Sequence, residues 1–223
     1  MSSNVYQAIT QRHSVRAFLN KPVAQEQIRR ILEAARFAPS GVNTQPWQVA
    51  VVSGATKQRL QNAMLKKFAA GERGKMDYAY YPNEWKIPYK QRRVETGKQL
   101  YGALQIDRKN KAGQKAQWAA NYRGFDAPVT LYFFMDDCLQ TGSFFDYGMF
   151  VENIMLLAQE EGLATCPQGA LGEYPDLVRR ELGYDRNKLL ICGMALGYED
   201  KEHPVNQYRT EREKVDDFTR FFD

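Results

Sequence analysis

Histidine is nearly absent from this 223-residue chain, which contains only His13 and His203. A catalytic zinc site built on three histidines is therefore impossible within one subunit, and a Ser-His-Asp triad has few options. Cysteine is almost as scarce. Cys138, Cys166 and Cys192 are odd in number, widely spaced and without a CxxC pair. That argues against a disulfide framework and a zinc site, and it fits a reducing cytosol. Long apolar runs are missing too. The longest, such as 189–196, have the length of a strand, far below the ~18 residues that a membrane span needs. Residues 1–4 offer no basic flank leading into an apolar run. The expectation is a soluble, cytoplasmic protein with no membrane partner. No G-x-G-x-x-G follows a strand, no G-x-x-x-x-G-K-[ST] occurs, and no G-x-S-x-G elbow is present. A redox cofactor, if there is one, must be held by another kind of site.

What is present describes a globular protein. Hydrophobic residues make up 43% and charged residues 26%, values that suit a single domain over residues 1–223. The net charge of +5 is unevenly spread. Between Lys86 and Arg123 ten Lys and Arg face only Glu95 and Asp107, so this segment carries +8 and the remainder −3. Such a segment is either a solvated helical face or a positive rim that draws in an anionic substrate or a nicotinamide phosphate. No nucleic-acid motif accompanies the charge, so no nucleic-acid partner is expected.

Hydrophobic periodicity predicts a helix over 24–38, closed by Pro39, because the residue before a proline avoids helical angles. It predicts further helices over 56–69, 94–104, 107–122, 144–162 (with Gly162 as the stop) and 174–183. The runs at 49–52, 129–135 and 189–196 are continuously apolar, as strands covered on both faces are. The pattern implies a central sheet with helices above and below it. Residues 71–88, rich in Tyr, Pro and Gly, read as an irregular excursion over the surface. The polar tail from Tyr198 ends in Phe218, Phe221 and Phe222. It needs somewhere to dock, and a second subunit is a natural place.

Four short constellations carry the candidate chemistry. Arg12, His13, Ser14 and Arg16 place two guanidiniums, an imidazole and a hydroxyl within five residues, a set able to grip a phosphate by forked, charge-assisted bonds. Residues 39–47, with Pro39, Ser40, Asn43 and Gln45, join the first of these helices to a strand. They offer donors and acceptors that can read the polar edge of a flavin ring, or simply cap a turn. In residues 165–171, Pro167 removes a donor, and Gly169 lets the backbone approach a ligand beside Gln168. Cys166 reads as a small buried residue rather than a nucleophile. Arg209, within 204–212, offers a further phosphate contact or belongs to an ordinary helix start.

Taken in order, RHSVRAF (12–18), APSGVNTQPW (38–47), CPQGAL (166–171) and GMALGYED with PVNQYRTERE (193–213) resemble the flavin-dependent nitroreductase family across nearly the whole chain. The resemblance implies a three-layer α+β fold with a central mixed sheet in an intertwined homodimer, with flavin mononucleotide (FMN) at the subunit interface. It implies that Arg12, Ser14 and Arg209 hold the phosphate or ribityl chain and that Arg16 lies near the pyrimidine edge. Ser40, Asn43 and Gln45 would bind cofactor, Asn43 from the partner subunit. The backbone at Pro167, Gln168 and Gly169 would run along the ring near N5, while His13 matches the motif without a defined role. NADH or NADPH would donate electrons, and a small aromatic acceptor such as a nitroaromatic would receive them in a ping-pong exchange. A quinone or enone reductase, a reductive dehalogenase and a non-catalytic flavin-binding dimer are the alternatives on the same scaffold. The stretch 71–125 resembles the variable lid of the larger, nitrobenzoate-reducing members, and 198–223 reads as a C-terminal arm.

Overall fold

The computed structural model describes residues 5–72 and 74–223; residues 1–4, on which the leader expectation rests, and Arg73 in the lid lie outside the described residues. The chain runs α1 (Val5–Gln11), α2 (Gln25–Ala35), β1 (Gln48–Ser53), α3 (Gly54–Ala69), α4 (Tyr89–Ala103), α5 (Lys111–Tyr122), β2 (Val129–Asp136), α6 (Thr141–Glu160), β3 (Ala164–Gln168), α7 (Pro175–Leu182), β4 (Lys188–Gly197) and α8 (Val215–Phe218). The four strands form one sheet in the order β1-β2-β4-β3.

The continuous apolar runs are explained by layers on both faces of the sheet. Along β2, Val129, Leu131, Phe133 and Met135 enter a core shared with Ile28 and Ile31 of α2 and Phe150 and Ile154 of α6. The alternate residues Tyr132 and Phe134 enter a second core with Leu60 and Met64 of α3, Tyr122 of α5, and Leu177 and Val178 of α7. Successive strand side chains point to opposite faces, so a central strand between two layers is apolar at nearly every position, Thr130 being the buried polar exception in β2. The expected three-layer α+β arrangement is present. The expected mixed pairing is not: among the described residues all three strand pairs are antiparallel, and parallel pairing is confined to one isolated bridge, Ser14 with Thr165. An all-apolar strand records burial on two faces, and it carries no information about chain direction.

Element ends depart from the expectations for local reasons. α2 closes at Ala35, four residues before Pro39, in a series of tight turns that includes Phe37 N–H to the Ala34 carbonyl at 3.2 Å. α5 begins at Lys111 rather than Asp107, because the Asn110 side chain accepts the Gly113 N–H at 2.8 Å and caps the helix. Gly162 adopts φ 69° after α6 and supplies the left-handed stop that a side chain would disfavour. β3 was not among the expected strands; it is five residues long and contains a proline, which suits an edge strand.

Between β2 and β4 the register shifts. Phe133 faces Cys192 while Phe134 faces Leu190, so Ile191 has no partner on β2. This β-bulge is the docking point of the irregular segment 71–88: the Tyr78 hydroxyl donates to the Ile191 carbonyl at 2.7 Å, and Asp77 Oδ2 accepts the Leu190 N–H at 2.8 Å. Among the described residues no helix is long and apolar enough to cross a membrane.

Candidate functional site

Three of the four candidate segments converge at the outer edge of β3. The Val15 N–H donates to the Thr165 carbonyl at 3.0 Å, and Ser14 bridges Thr165, so residues 12–16 lie alongside β3. Asn206 fastens the third segment to the first. Its Oδ1 accepts the Arg16 N–H at 2.9 Å, and its Nδ2 donates to the carbonyls of Ala17 and Asp200 at 2.9 and 2.8 Å. Asn206 is 2% exposed, so these bonds replace all its contact with water. A Pro-Val-Asn turn in a polar arm gave no sequence sign of such a clamp beyond its membership of the fourth motif.

The convergence puts guanidiniums together. Arg12, Arg16, Arg209 and Arg212 line one cavity of about 490 Å³, with Ser14, Thr210 and Tyr208 from the same segments, Thr10 from α1 and Thr96 from α4. An adjoining cavity of about 810 Å³ shares Thr10, Arg12, His13 and Arg209. Among the described residues none of the four guanidiniums is ion-paired with a carboxylate. Arg16, Arg209 and Arg212 bond to neutral oxygens instead. Arg16 donates to the Ser14 carbonyl at 3.1 Å and to the Tyr208 hydroxyl at 3.2 Å, and Arg209 to the Asn206 carbonyl at 2.7 Å. The Arg12 Nε is buried with no hydrogen-bond partner. Like charges gathered without counter-charge raise the local potential and make a ready site for an anion.

His13 lines both cavities, but its Nε2 is committed to Glu199 Oε1 at 3.0 Å. It ties the first segment to the end of β4. Cys166 is buried beneath this cluster. Burial pushes its thiol up, against the opposing pull of Arg16, the Ser14 hydroxyl and Arg12, so it stays a neutral thiol.

Pro167, Gln168 and Gly169 form the end of β3 and the start of the following turn. The Gln168 side chain is turned inward, donating to the Asn121 carbonyl at 3.0 Å, which leaves its backbone rather than its amide to face a ligand. Gly169 lies against the lid, since a Cβ there would touch the Tyr80 ring at 3.4 Å.

The remaining segment does not join the others. Ser40, Asn43 and Gln45 line neither arginine cavity. They sit on an exposed loop, together with the exposed Pro39, held from below by α6. The Gly41 N–H donates to Asp146 Oδ2 at 3.2 Å, and Gln48 N–H donates to the buried Tyr147 hydroxyl at 3.2 Å. Within the loop the Gln45 N–H donates to Ser40 Oγ at 3.0 Å. Val42, Asn43 and Gln45 all take positive φ, at 46°, 58° and 49°. Val42, a β-branched residue in a region it disfavours, is fully exposed. The loop is thus held in sparsely populated conformations by packing beneath it, with an apolar side chain in water.

The basic helices α4 and α5 are largely exposed, as a solvated face would be, yet Thr96 of α4 reaches the arginine cavity and Arg92 pairs with Glu213 of the arm at 2.7 Å. The arm's Phe218, Phe221 and Phe222 are exposed.

Together these features define a protein of the α+β class, three layers deep, with an arginine-lined, carboxylate-free cavity at the sheet edge. The chain belongs to the nitroreductase family, whose model matches residues 9–198. A 4-nitrobenzoate reductase of Pseudomonas putida is 37% identical over 96% of this chain and 93% of its own length, and a chloronitrobenzene nitroreductase of Comamonas testosteroni is 36% identical over 96% and 94%. Among solved structures, the FMN- and NADPH-dependent nitroreductase NfnB from Sphigopyxis sp. strain HMH superposes with a TM-score of 0.96 at 38% identity, covering 99% of this chain and 100% of that one. The FMN-dependent nitroreductase NfnB from Mycobacterium smegmatis, in complex with NADPH, does so at 0.93 and 34%, covering 98% and 97%.

Proposed function

We propose that this protein is an FMN-dependent oxidoreductase that takes electrons from NADPH or NADH and reduces nitroaromatic or similar electron-poor acceptors, working as a cytoplasmic homodimer. The observation that carries the reading is the cavity of four guanidiniums without a carboxylate, with Arg12 Nε buried and unpartnered. That donor set fits a phosphate-bearing group. Relatives that share 34–38% of their residues with this chain are named as FMN- and NADPH-dependent enzymes or as reductases of nitroaromatic compounds.

In this reading Arg12, Ser14 and Arg209 hold the FMN phosphate, and Arg16 faces the pyrimidine edge of the ring. The backbone of Pro167, Gln168 and Gly169 runs along it, and Ser40, Asn43 and Gln45 reach it from the second copy. Pro39 shapes that loop, and His13, fixed by Glu199, sets the course of the first segment. When bound, FMN supplies the redox chemistry, accepting hydride from the nicotinamide and passing electrons to the acceptor. Arg16 enters the site already oriented by the Ser14 carbonyl and the Tyr208 hydroxyl, so its positive charge favours an anionic ring without reorganisation. The protein presents no dedicated proton donor in this reading, and solvent supplies protons. Support for the dimer comes from the separation of the 40–45 loop from the arginine cavity and from the exposed aromatic arm. Support for a reducing compartment comes from three cysteines that are all free.

The test is a visible spectrum of the purified protein, then anaerobic titration with NADPH and with NADH, then turnover with 4-nitrobenzoate. A yellow protein bleached by a nicotinamide and re-oxidised by the nitro compound is the expected result. A colourless protein that takes up no FMN at micromolar concentration contradicts the proposal, and bleaching without turnover points to the non-catalytic alternative.

A further inference from the structure

The two cavities at the sheet edge share a wall, and the residues that line them fall in an order. Ser14 and Arg16 line only the smaller one, of about 490 Å³. Arg12, His13 and Arg209 line both. Ala164 and Lys201 line only the larger, of about 810 Å³. Small-molecule sites occupy ~300–1,000 Å³, so the larger cavity has room for a portion of ligand of its own.

The shared wall carries positive charge that the chain does not use up. Arg12 Nε is buried without a hydrogen-bond partner. Arg209 spends one terminal nitrogen on the Asn206 and Tyr208 carbonyls, at 2.7 and 2.9 Å. Beyond the wall, Lys201 is exposed and forms no ion pair among the described residues. Glu199 is the one carboxylate among the described residues that line the larger cavity, and its Oε1 is engaged by His13 Nε2 at 3.0 Å. Further in, Leu163, Ala164 and Tyr198 give apolar surface, while Gln159 and Gln207 carry amides. Cations at the entrance, with apolar surface and amides behind them, suit the phosphate and the base of a nucleotide.

We propose that the larger cavity is a subsite for the adenosine monophosphate half of a flavin dinucleotide, so that the protein accepts FAD as well as FMN. The proposal rests on the FMN reading given above, with the ring towards Arg16 and the phosphate at Arg12 and Arg209. A monophosphate entering from the ring end stops at the shared wall. A diphosphate crosses it. Its first phosphate stays with Arg12 and Arg209, its second meets Lys201, and the adenosine enters the larger cavity. The sequence of groups along the two cavities is the sequence of groups along the dinucleotide.

The test is competition between the two flavins. The purified holoprotein is equilibrated with equimolar FMN and FAD in excess, freed of unbound flavin and denatured, and chromatography of the released flavin gives the bound ratio. FAD is expected at no less than about one tenth of FMN, which corresponds to Kd values within about tenfold of each other. Lys201→Glu places a negative charge beside the second phosphate and lowers the FAD:FMN ratio about tenfold. Ala164→Leu takes up space in the larger cavity alone and lowers the ratio in the same direction. Arg12→Ala weakens both flavins and leaves the ratio within about threefold, because both place a phosphate there. FMN bound with FAD below the expected level overturns the proposal and leaves the FMN reading intact. So does a ratio that neither Lys201→Glu nor Ala164→Leu moves, since the adenosine would then lie in solvent. An unaltered protein that binds neither flavin overturns both.

Discussion

The arginine cavity and the 40–46 loop are two parts of one sequence signature, yet the chain treats them in opposite ways. The cavity is built by segments locked to one another through a buried asparagine, a bridge onto β3 and an imidazole–carboxylate pair. Its cationic groups are set in place before any ligand arrives. The loop is locked only from below, by Asp146 and Tyr147, and presents its own polar side chains and an exposed Val42 outward. One region closes on itself, and the other faces outward. The difference teaches that motifs that follow one another in sequence order need not meet in space.

The most forceful way to break the comparison is to disable each half separately. Arg12→Ala is expected to weaken FMN binding about 100-fold, the worth of one or two charge-assisted bonds, as read by fluorescence titration. Asn43→Ala weakens it less, and mixing the two variant proteins restores one tight site per mixed dimer, because one interface then carries both original residues. Mixing that restores nothing would place both halves in the same chain. Next in size is the clamp: Asn206→Ala removes three buried hydrogen bonds and leaves the Arg16 N–H without its acceptor, while the Ala17 and Asp200 carbonyls keep the Asp200 and His203 N–H, and it costs about 2–3 kcal/mol in urea unfolding, whereas Asn43→Ala costs about 1 kcal/mol, from its left-handed φ rather than from lost bonds.

Arg16→Ala sharpens the electrostatic side of the contrast. With Arg16 placed beside the ring as proposed, removing its positive charge is expected to lower the bound flavin's midpoint potential by the equivalent of about 1–2 kcal/mol, measured by redox titration. An unchanged potential with FMN bound would remove Arg16 from that role. The smallest effect lies away from both regions, at Glu173. Burial holds its carboxyl above its ordinary value, although the Tyr122 hydroxyl donates to it at 2.5 Å and works the other way. A raised folded-state value means that the native protein binds this proton more tightly than the unfolded chain. The stabilisation is therefore present below about pH 4, near the unfolded value, and is lost as pH rises through the folded one. Glu173→Gln should flatten that decline in urea midpoints measured between pH 4 and pH 8.

Much of the fold was legible because the signals are local. The alternation of Phe133 and Phe134 between two cores shows in the sequence as an unbroken apolar run, and Gly162 marks the end of α6 as its left-handed φ requires. β3 was missed because Ala164–Gln168 is short, holds a proline and gains its strand character from β4 and from Ser14 rather than from its own residues. Strand direction was not legible, because burial on two faces says nothing about orientation; the mixed sheet was implied by the resemblance alone, and the strand pairs are antiparallel. The candidate residues were legible as chemical types, guanidiniums and amides in short clusters, while Asn206 and Tyr208 were passed over because their partners lie about 190 residues away.

By itself, then, the sequence determined the layering, the helices and the identity of the segments that carry chemistry, since each follows from the spacing of side chains along a few turns or one strand. Only the tertiary structure decided that residues 12–16 lie beside Thr165, that Asn206 closes on Arg16, that the lid roots on the bulge at Ile191 and that the 40–46 loop stays apart. Those meetings join parts of the chain separated by 100 residues or more. Pairing across such distances is settled by the packing of the whole core, which no local pattern records.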